Sequence, residues 1–202
     1  MLSFDPTINT ERENYKLLIG SIVPRPIAFV TSVTKDGTIN AAPFSYFNVV
    51  SSNPPMVSIA IQRNNGVPKD TAQNIIENKE FVVHIVDEQN VEEVNATAAS
   101  LPPEESEIKR TNLSLVDSES ISVPGVKEAK VRFECTLEQA ITLDNDGETV
   151  TDLLIGKVVH YHIDEQIYEN GKINHHTLGA VSRLAGSDYA KIGNTFSIER
   201  PK

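Results

Sequence analysis

Ile27-Ala-Phe-Val-Thr-Ser-Val-Thr-Lys-Asp-Gly-Thr-Ile-Asn-Ala-Ala-Pro43 reads as a β-hairpin. The β-branched and aromatic side chains of 27–33 suit a pleated, half-buried surface. Lys35-Asp36-Gly37 supplies a tight turn, because an Asp-Gly pair accepts the positive φ that a two-stranded return requires. The return strand begins at Thr38-Ile39-Asn40-Ala41-Ala42, and Pro43, with no N–H for a ladder, is expected to end regular pairing. Working outward, Phe44-Ser-Tyr-Phe-Asn48 is expected to be a loop, Asn53-Pro54-Pro55 a break, and Met56-Val-Ser-Ile-Ala-Ile61 a short apolar strand.

Further along, Asp70 is expected to cap a helix, with Gln73 three residues on in a capping-box arrangement and Ile75 and Ile76 facing inward. Glu80–Val86 follows as a strand. Residues 88–100 and 104–111 read as two short helices around Pro102-Pro103, and Ser114–Gly125 as a loop. Ala129–Leu143 alternates so that Val131, Phe133, Cys135 and Leu137 share one face. Asp144-Asn-Asp-Gly147 turns the chain into a long partner strand over Thr151–Ile163, and Asn170-Gly171 marks one more turn. There is no internal repeat and no linker-like shift in composition. Adjacent hairpins exclude an all-parallel sheet, so the chain is expected to be mainly β with inserted helices, one barrel-like domain over 1–202.

The 202 residues are 39% hydrophobic and 23% charged, which excludes collagen-like, low-complexity and disulfide-scaffold chains. Cys135 has no second cysteine for a disulfide or a thiolate metal cluster, and its strand position favours inert packing. No apolar run approaches the roughly 20 residues that span a bilayer. The acidic, polar N-terminal stretch MLSFDPTINTEREN is unlike a signal peptide, so a cytoplasmic protein is expected. The net charge is −10, and residues 87–119 alone hold nine acids against Lys109 and Arg110. Such a field argues against duplex nucleic acid as a partner, though not against one small anion in a local basic pocket. The acidic stretch itself reads as solvated surface.

No phosphate loop, dinucleotide-binding glycine motif, zinc-protease helix or serine elbow is present. His160 and His162 share a strand face as half of a metal site, without a third ligand. His175 and His176 are expected to point apart, and His84 to be a hydrogen-bonded core residue. Lys69-Asp70-Thr71 is more informative. A helix N-terminus offers free N–H groups and partial positive charge, Lys69 adds a full charge, Thr71 a hydroxyl, and Arg63 approaches from the preceding strand, a set suited to a phosphate. Plain capping with a surface lysine accounts for the same residues. The segment Asn40–Pro55 mixes small, hydroxyl and aromatic residues as a flat heteroaromatic ligand requires. An ordinary loop plugging the end of a barrel fits that composition equally.

Taken in order, several pieces resemble the flavin reductase-like FMN-binding split-barrel family. They are Pro24-Arg-Pro-Ile-Ala-Phe-Val-Thr-Ser32, Gly37-Thr-Ile-Asn-Ala-Ala-Pro-Phe-Ser45, Ser52-Asn-Pro-Pro-Met56, Lys69-Asp-Thr71 with Asn74, Glu80-Phe-Val-Val83 and Arg183-Leu-Ala-Gly-Ser-Asp-Tyr189. The resemblance implies a six-stranded split barrel that forms a homodimer and binds FMN near the subunit interface. It implies that Thr31 and Ser32 line the flavin, that Ser45, Tyr46, Phe47 and Asn48 contact the isoalloxazine, and that Ser51 and Ser52 lie near the ribityl chain or phosphate. Lys69 and Thr71 would hold the phosphate, with Arg183 reaching it. Ala185 departs from a position where the family often has glycine.

The activity implied is NAD(P)H-dependent flavin reduction, with hydride passing to flavin N5 and no catalytic side chain required. Reduced flavin would serve a partner oxygenase or redox protein. A non-catalytic FMN electron carrier of the flavoredoxin type is the alternative. A flavin-free interaction module using the acidic 87–119 surface is the third.

Overall fold

The computed structural model describes residues 1–99, 101–102 and 105–201. In chain order these form α1 (Glu11–Ser21), β1 (Arg25–Pro26), β2 (Ala28–Val33), β3 (Ile39–Phe44), β4 (Phe47–Ser52), β5 (Pro55–Gln62), α2 (Asp70–Asn78), β6 (Glu80–Ile85) and α3 (Val91–Ala96). The pairs β7 (Leu115–Val116) and β8 (Gly125–Val126) precede the long hairpin β9 (Val131–Asn145) and β10 (Glu148–Ile163). After it come β11 (Tyr168–Glu169), β12 (Lys172–Ile173), α4 (His175–Leu178), β13 (Val181–Arg183) and β14 (Tyr189–Lys191).

Seven strands make one sheet in the order β3-β2-β6-β9-β10-β5-β4, antiparallel throughout. All seven send side chains into a single core, from Val30 and Phe44 on one side through Phe81, Cys135 and Leu154 to Ile59 and Phe47 on the other. A flat sheet cannot do this, so the sheet is rolled, with β3 and β4 as its unpaired edges and β3 approaching β5 across the split. Ala72 and Ile75 of α2 enter the same core. Nine residues are too few for a free-standing helix, so this burial is what holds α2 in place. A second cluster, including Phe29, Ala41, Val94, Ile108 and Val126, covers the outside of β2 and β3.

The turns fall where glycine was expected. Gly37 closes β2–β3 at φ 86°, Asp146-Gly147 closes β9–β10, and Asn170-Gly171 joins β11 to β12, the last two with positive φ at both positions. The face of Phe133, Cys135 and Leu137 packs into the core as read.

Other expectations are corrected. Pro43 does not end pairing, because β3 is an edge strand and the missing N–H faces outward, so Pro43 stays in register with Phe29. The loop-like segment Asn40–Pro55, with its expected loop at Phe44–Asn48, contains β4, paired along β5, which brings the sheet to seven strands instead of six. Asp70 is the first helical residue and Lys69 the N-cap, with no side-chain cap bond. The expected helices 88–100 and 104–111 reduce to α3 and a 3-10 turn at Glu107–Arg110, and their facing ends Ser100 and Glu104, with Pro103 of the separator, lie outside the described residues. The loop 114–125 holds the short β7–β8 pair across its ends. His175 and His176 do not diverge, since their ring centroids are 4.1 Å apart.

Candidate functional site

Two adjoining hollows open beside the split. The wider, about 540 Å³, lies between β3, the start of α2 and the end of α3, and is lined by Asn40, Pro43, Phe44, Lys69, Thr71 and Glu107 among others. The narrower, about 170 Å³, is bounded by α1, the β3–β4 junction and the β13–β14 turn, with Tyr15, Arg25, Ser45, Tyr46, Lys69 and Arg183 on its walls. Pro43, Phe44 and Lys69 belong to both.

The start of α2 is built as an open donor end. Lys69 is extended at φ −74°, ψ 152°, and no side chain caps the first turn. The first N–H groups of the helix are therefore free of the usual Ser or Asp acceptor, in a field that favours an anion. Thr71 is buried, and its Oγ1 accepts a 2.7 Å bond from Asn40 Nδ2, leaving its own hydrogen to donate. Glu107 stands on the opposite wall, where its Oε2 accepts the Ala41 N–H at 3.0 Å. Burial, with a smaller contribution from Asp70, raises the Glu107 carboxyl above the ordinary range.

In the narrower cavity Arg25, 6% exposed, joins three segments. Its Nη1 donates to Ile19 O at 2.8 Å and Ile22 O at 2.7 Å, and its Nη2 to Leu184 O at 2.9 Å. Its Nε lies 3.5 Å from Ser45 Oγ. Arg183 lies over the Tyr189 ring at 4.4 Å, with Nη2 on Gly186 O. Burial pushes the Tyr46 phenol up, and Tyr15 adds to this against the opposing charge of Arg25.

The structure thus brings together Ser45, Tyr46, Lys69, Thr71 and Arg183 of the expected set. The remaining members stand elsewhere. Thr31 is fully buried and donates to Pro124 O at 2.7 Å. Ser32, also buried, accepts from Asn74 Nδ2 at 3.2 Å and Asn40 Nδ2 at 3.4 Å, behind the wall that Asn40 and Thr71 form. Phe47 packs in the core, and Asn48, Ser51 and Ser52 lie along the exposed edge strand β4. Arg63 is gripped by Asp152 through Nε–Oδ2 at 2.9 Å and Nη2–Oδ1 at 2.7 Å, and does not line either hollow. Sequence reading missed Arg25 and Glu107 as wall residues. Arg25 sits in the quoted Pro24-Arg-Pro26 run, but its acceptor Leu184 lies far along the chain.

No group of three or more metal-binding side chains occurs among the described residues. His162 Nε2 is instead 2.6 Å from Glu134 Oε1, while His160 contacts Ser120.

Residues 19–179 match the family described as flavin reductase like domain. The chain belongs to the flavin reductase-like family. It is 56% identical to nitrilotriacetate monooxygenase component B from Bacillus cereus, with a TM-score of 0.96 over 98% of each chain. The 2-nitrobenzoate 2-nitroreductase NbaA of Pseudomonas fluorescens is 30% identical, with a TM-score of 0.88 over 99% of this chain and 96% of the other. Flavoredoxin of Desulfovibrio vulgaris (Miyazaki F) shares the fold alone, at 18% identity and TM-score 0.75 over 88% and 91%. The family resemblance read from the ordered motifs, and the split barrel it implied, are both established. No helix among the described residues is long and apolar enough to cross a membrane.

Proposed function

We propose that this flavin reductase-like protein is an NAD(P)H-dependent reductase that binds FMN in the wider cleft and supplies reduced flavin to a partner oxygenase. FMN, when bound, supplies the two-electron chemistry by accepting a hydride at N5. The protein's own work is positioning. Lys69 and the free N–H groups at the start of α2 hold the phosphate, and Thr71 adds a hydroxyl donor. Phe44 and Pro43 give a flat apolar wall, and Glu107 faces the polar edge of the ring. Ser45 and Tyr46 border the ring from the adjoining cavity. Asn48, Ser51 and Ser52 stand on an edge strand, an arrangement that fits a homodimer in which two chains border each flavin. A cytoplasmic location is part of the same reading.

The observation that carries this reading is the uncapped, lysine-bearing start of α2 opening into a cleft between two walls of the split. The 56% identity to a monooxygenase component B supports the role of a reductase partner. The test is steady-state oxidation of NADH and NADPH with added FMN. The expected result is turnover with at least one nucleotide that saturates in FMN. Retention of FMN through gel filtration without turnover by either nucleotide would instead identify an electron carrier.

A further inference from the structure

The narrower cavity has a charge that the proposed flavin site does not explain. Beside Lys69, which serves the flavin site, its described lining residues include two further cations, Arg25 and Arg183, and no carboxylate. This is unusual in a chain of net charge −10. Arg25 is nearly fully buried, and the partners that fix it, Ile19, Ile22 and Leu184, are all main-chain carbonyls. Arg183 is fixed in the same way, by Gly186 O and the Tyr189 ring. Carbonyls and an aromatic face orient a guanidinium without neutralising it, so the cavity keeps a positive potential that an anion would satisfy.

FMN carries one phosphate, and the start of α2 already offers a place for it. The second substrate of a flavin reductase must lie against the flavin, and this cavity shares Pro43, Phe44 and Lys69 with the flavin cleft. Tyr15 and Tyr46 add aromatic walls. Tyr15, Arg183, Leu184 and Gly186 fall outside residues 19–179, so this cavity is completed by the segments that flank the matched domain.

We propose that the Arg25–Arg183 cavity is a second phosphate-ester site, which takes a phosphate group of the hydride-donating pyridine nucleotide. The inference rests on the reductase reading. Arg183 contacts the nucleotide, and Arg25 is a positioning residue that locks the Leu184 turn against α1.

The test uses the full chain saturated with FMN and the Arg183→Gln variant, which removes the charge and keeps the length. The nucleotide KM should rise about tenfold, the scale of one charge-assisted contact, and exceed any change in kcat or in the FMN Kd read by fluorescence. With the unaltered protein, inorganic pyrophosphate should inhibit competitively against the nucleotide and not against FMN. A weakened FMN Kd with riboflavin binding and nucleotide KM unchanged would place the flavin phosphate there and overturn the inference. Pyrophosphate that fails to compete with the nucleotide would also overturn it. Loss of the reductase reading looks different, since the unaltered protein would then oxidise neither nucleotide.

Discussion

His84 and Val126 are joined at 2.8 Å, the histidine Nε2 accepting the backbone N–H of the valine. The other ring nitrogen lies 2.9 Å from Phe29 O, so Nδ1 carries the single proton and the ring is neutral. Burial pushes this imidazole down to about 3. An unfolded chain takes up the proton near pH ~6.5, and the folded one resists it until about pH 3. Stability therefore falls as pH drops through that window, by about 1.4 kcal/mol per pH unit from this group. Urea melts between about pH 5 and 6.5, above the range where most carboxylates titrate, should show this slope. His84→Gln, which can keep a donor toward Phe29 and an acceptor toward Val126, should flatten it. An equal slope in the variant would assign the acid sensitivity to other groups.

Gly156 lies under the Phe81 ring, where an added Cβ would sit 2.3 Å from Cζ. Phe81 is fully buried and has nowhere to swing. Gly156→Ala should destabilise the barrel by about 1–3 kcal/mol through overpacking. Gly20, inside α1 with nothing within 4 Å of where an alanine methyl would stand, is the contrast. Gly20→Ala should stabilise by about 0.5–1 kcal/mol. Denaturant midpoints measured on both variants check the pair.

Cys135 is fully buried in the core, and burial pushes its thiol up. A thiol that stays protonated and out of reach does not react. Native protein should resist a disulfide-exchange reagent such as DTNB for hours and label completely in denaturant. Rapid labelling of the native state would contradict the packing of β9.

The hairpins were legible because their turns have no alternative. Gly37, Gly147 and Gly171 all take positive φ, and sequence can signal that requirement locally. Strand β4 was hidden because Val49 and Val50 face outward on an edge, so no alternation marks it. The N-terminal helix was also overlooked, although Thr10 and Glu13 form a reciprocal capping box that sequence does announce. At the site, Lys69 and Thr71 were legible as neighbours at a helix start. The partnership of Arg25 with Leu184 spans 159 positions and exists only once β1 pairs with β13. Arg63 misled for the matching reason, since its partner Asp152 lies 89 positions on and reaches it only once β10 pairs with β5.

Lys69 stands at the junction of both hollows, and among the described residues no carboxylate lies within ion-pairing distance of it. Lys69→Ala should weaken FMN binding about 10- to 100-fold and riboflavin binding far less, because riboflavin lacks the phosphate. Fluorescence titrations with the two flavins give both constants. Equal losses for the two would place Lys69 against the ring instead.

The most direct measurement is titration of the purified protein with FMN, followed by quenching of flavin fluorescence. Quenching should saturate near one FMN per chain, with a yellow, flavin-containing protein after gel filtration or full return of the flavin to solution on dilution. Colourless protein that leaves FMN fluorescence unchanged at every concentration would contradict FMN binding.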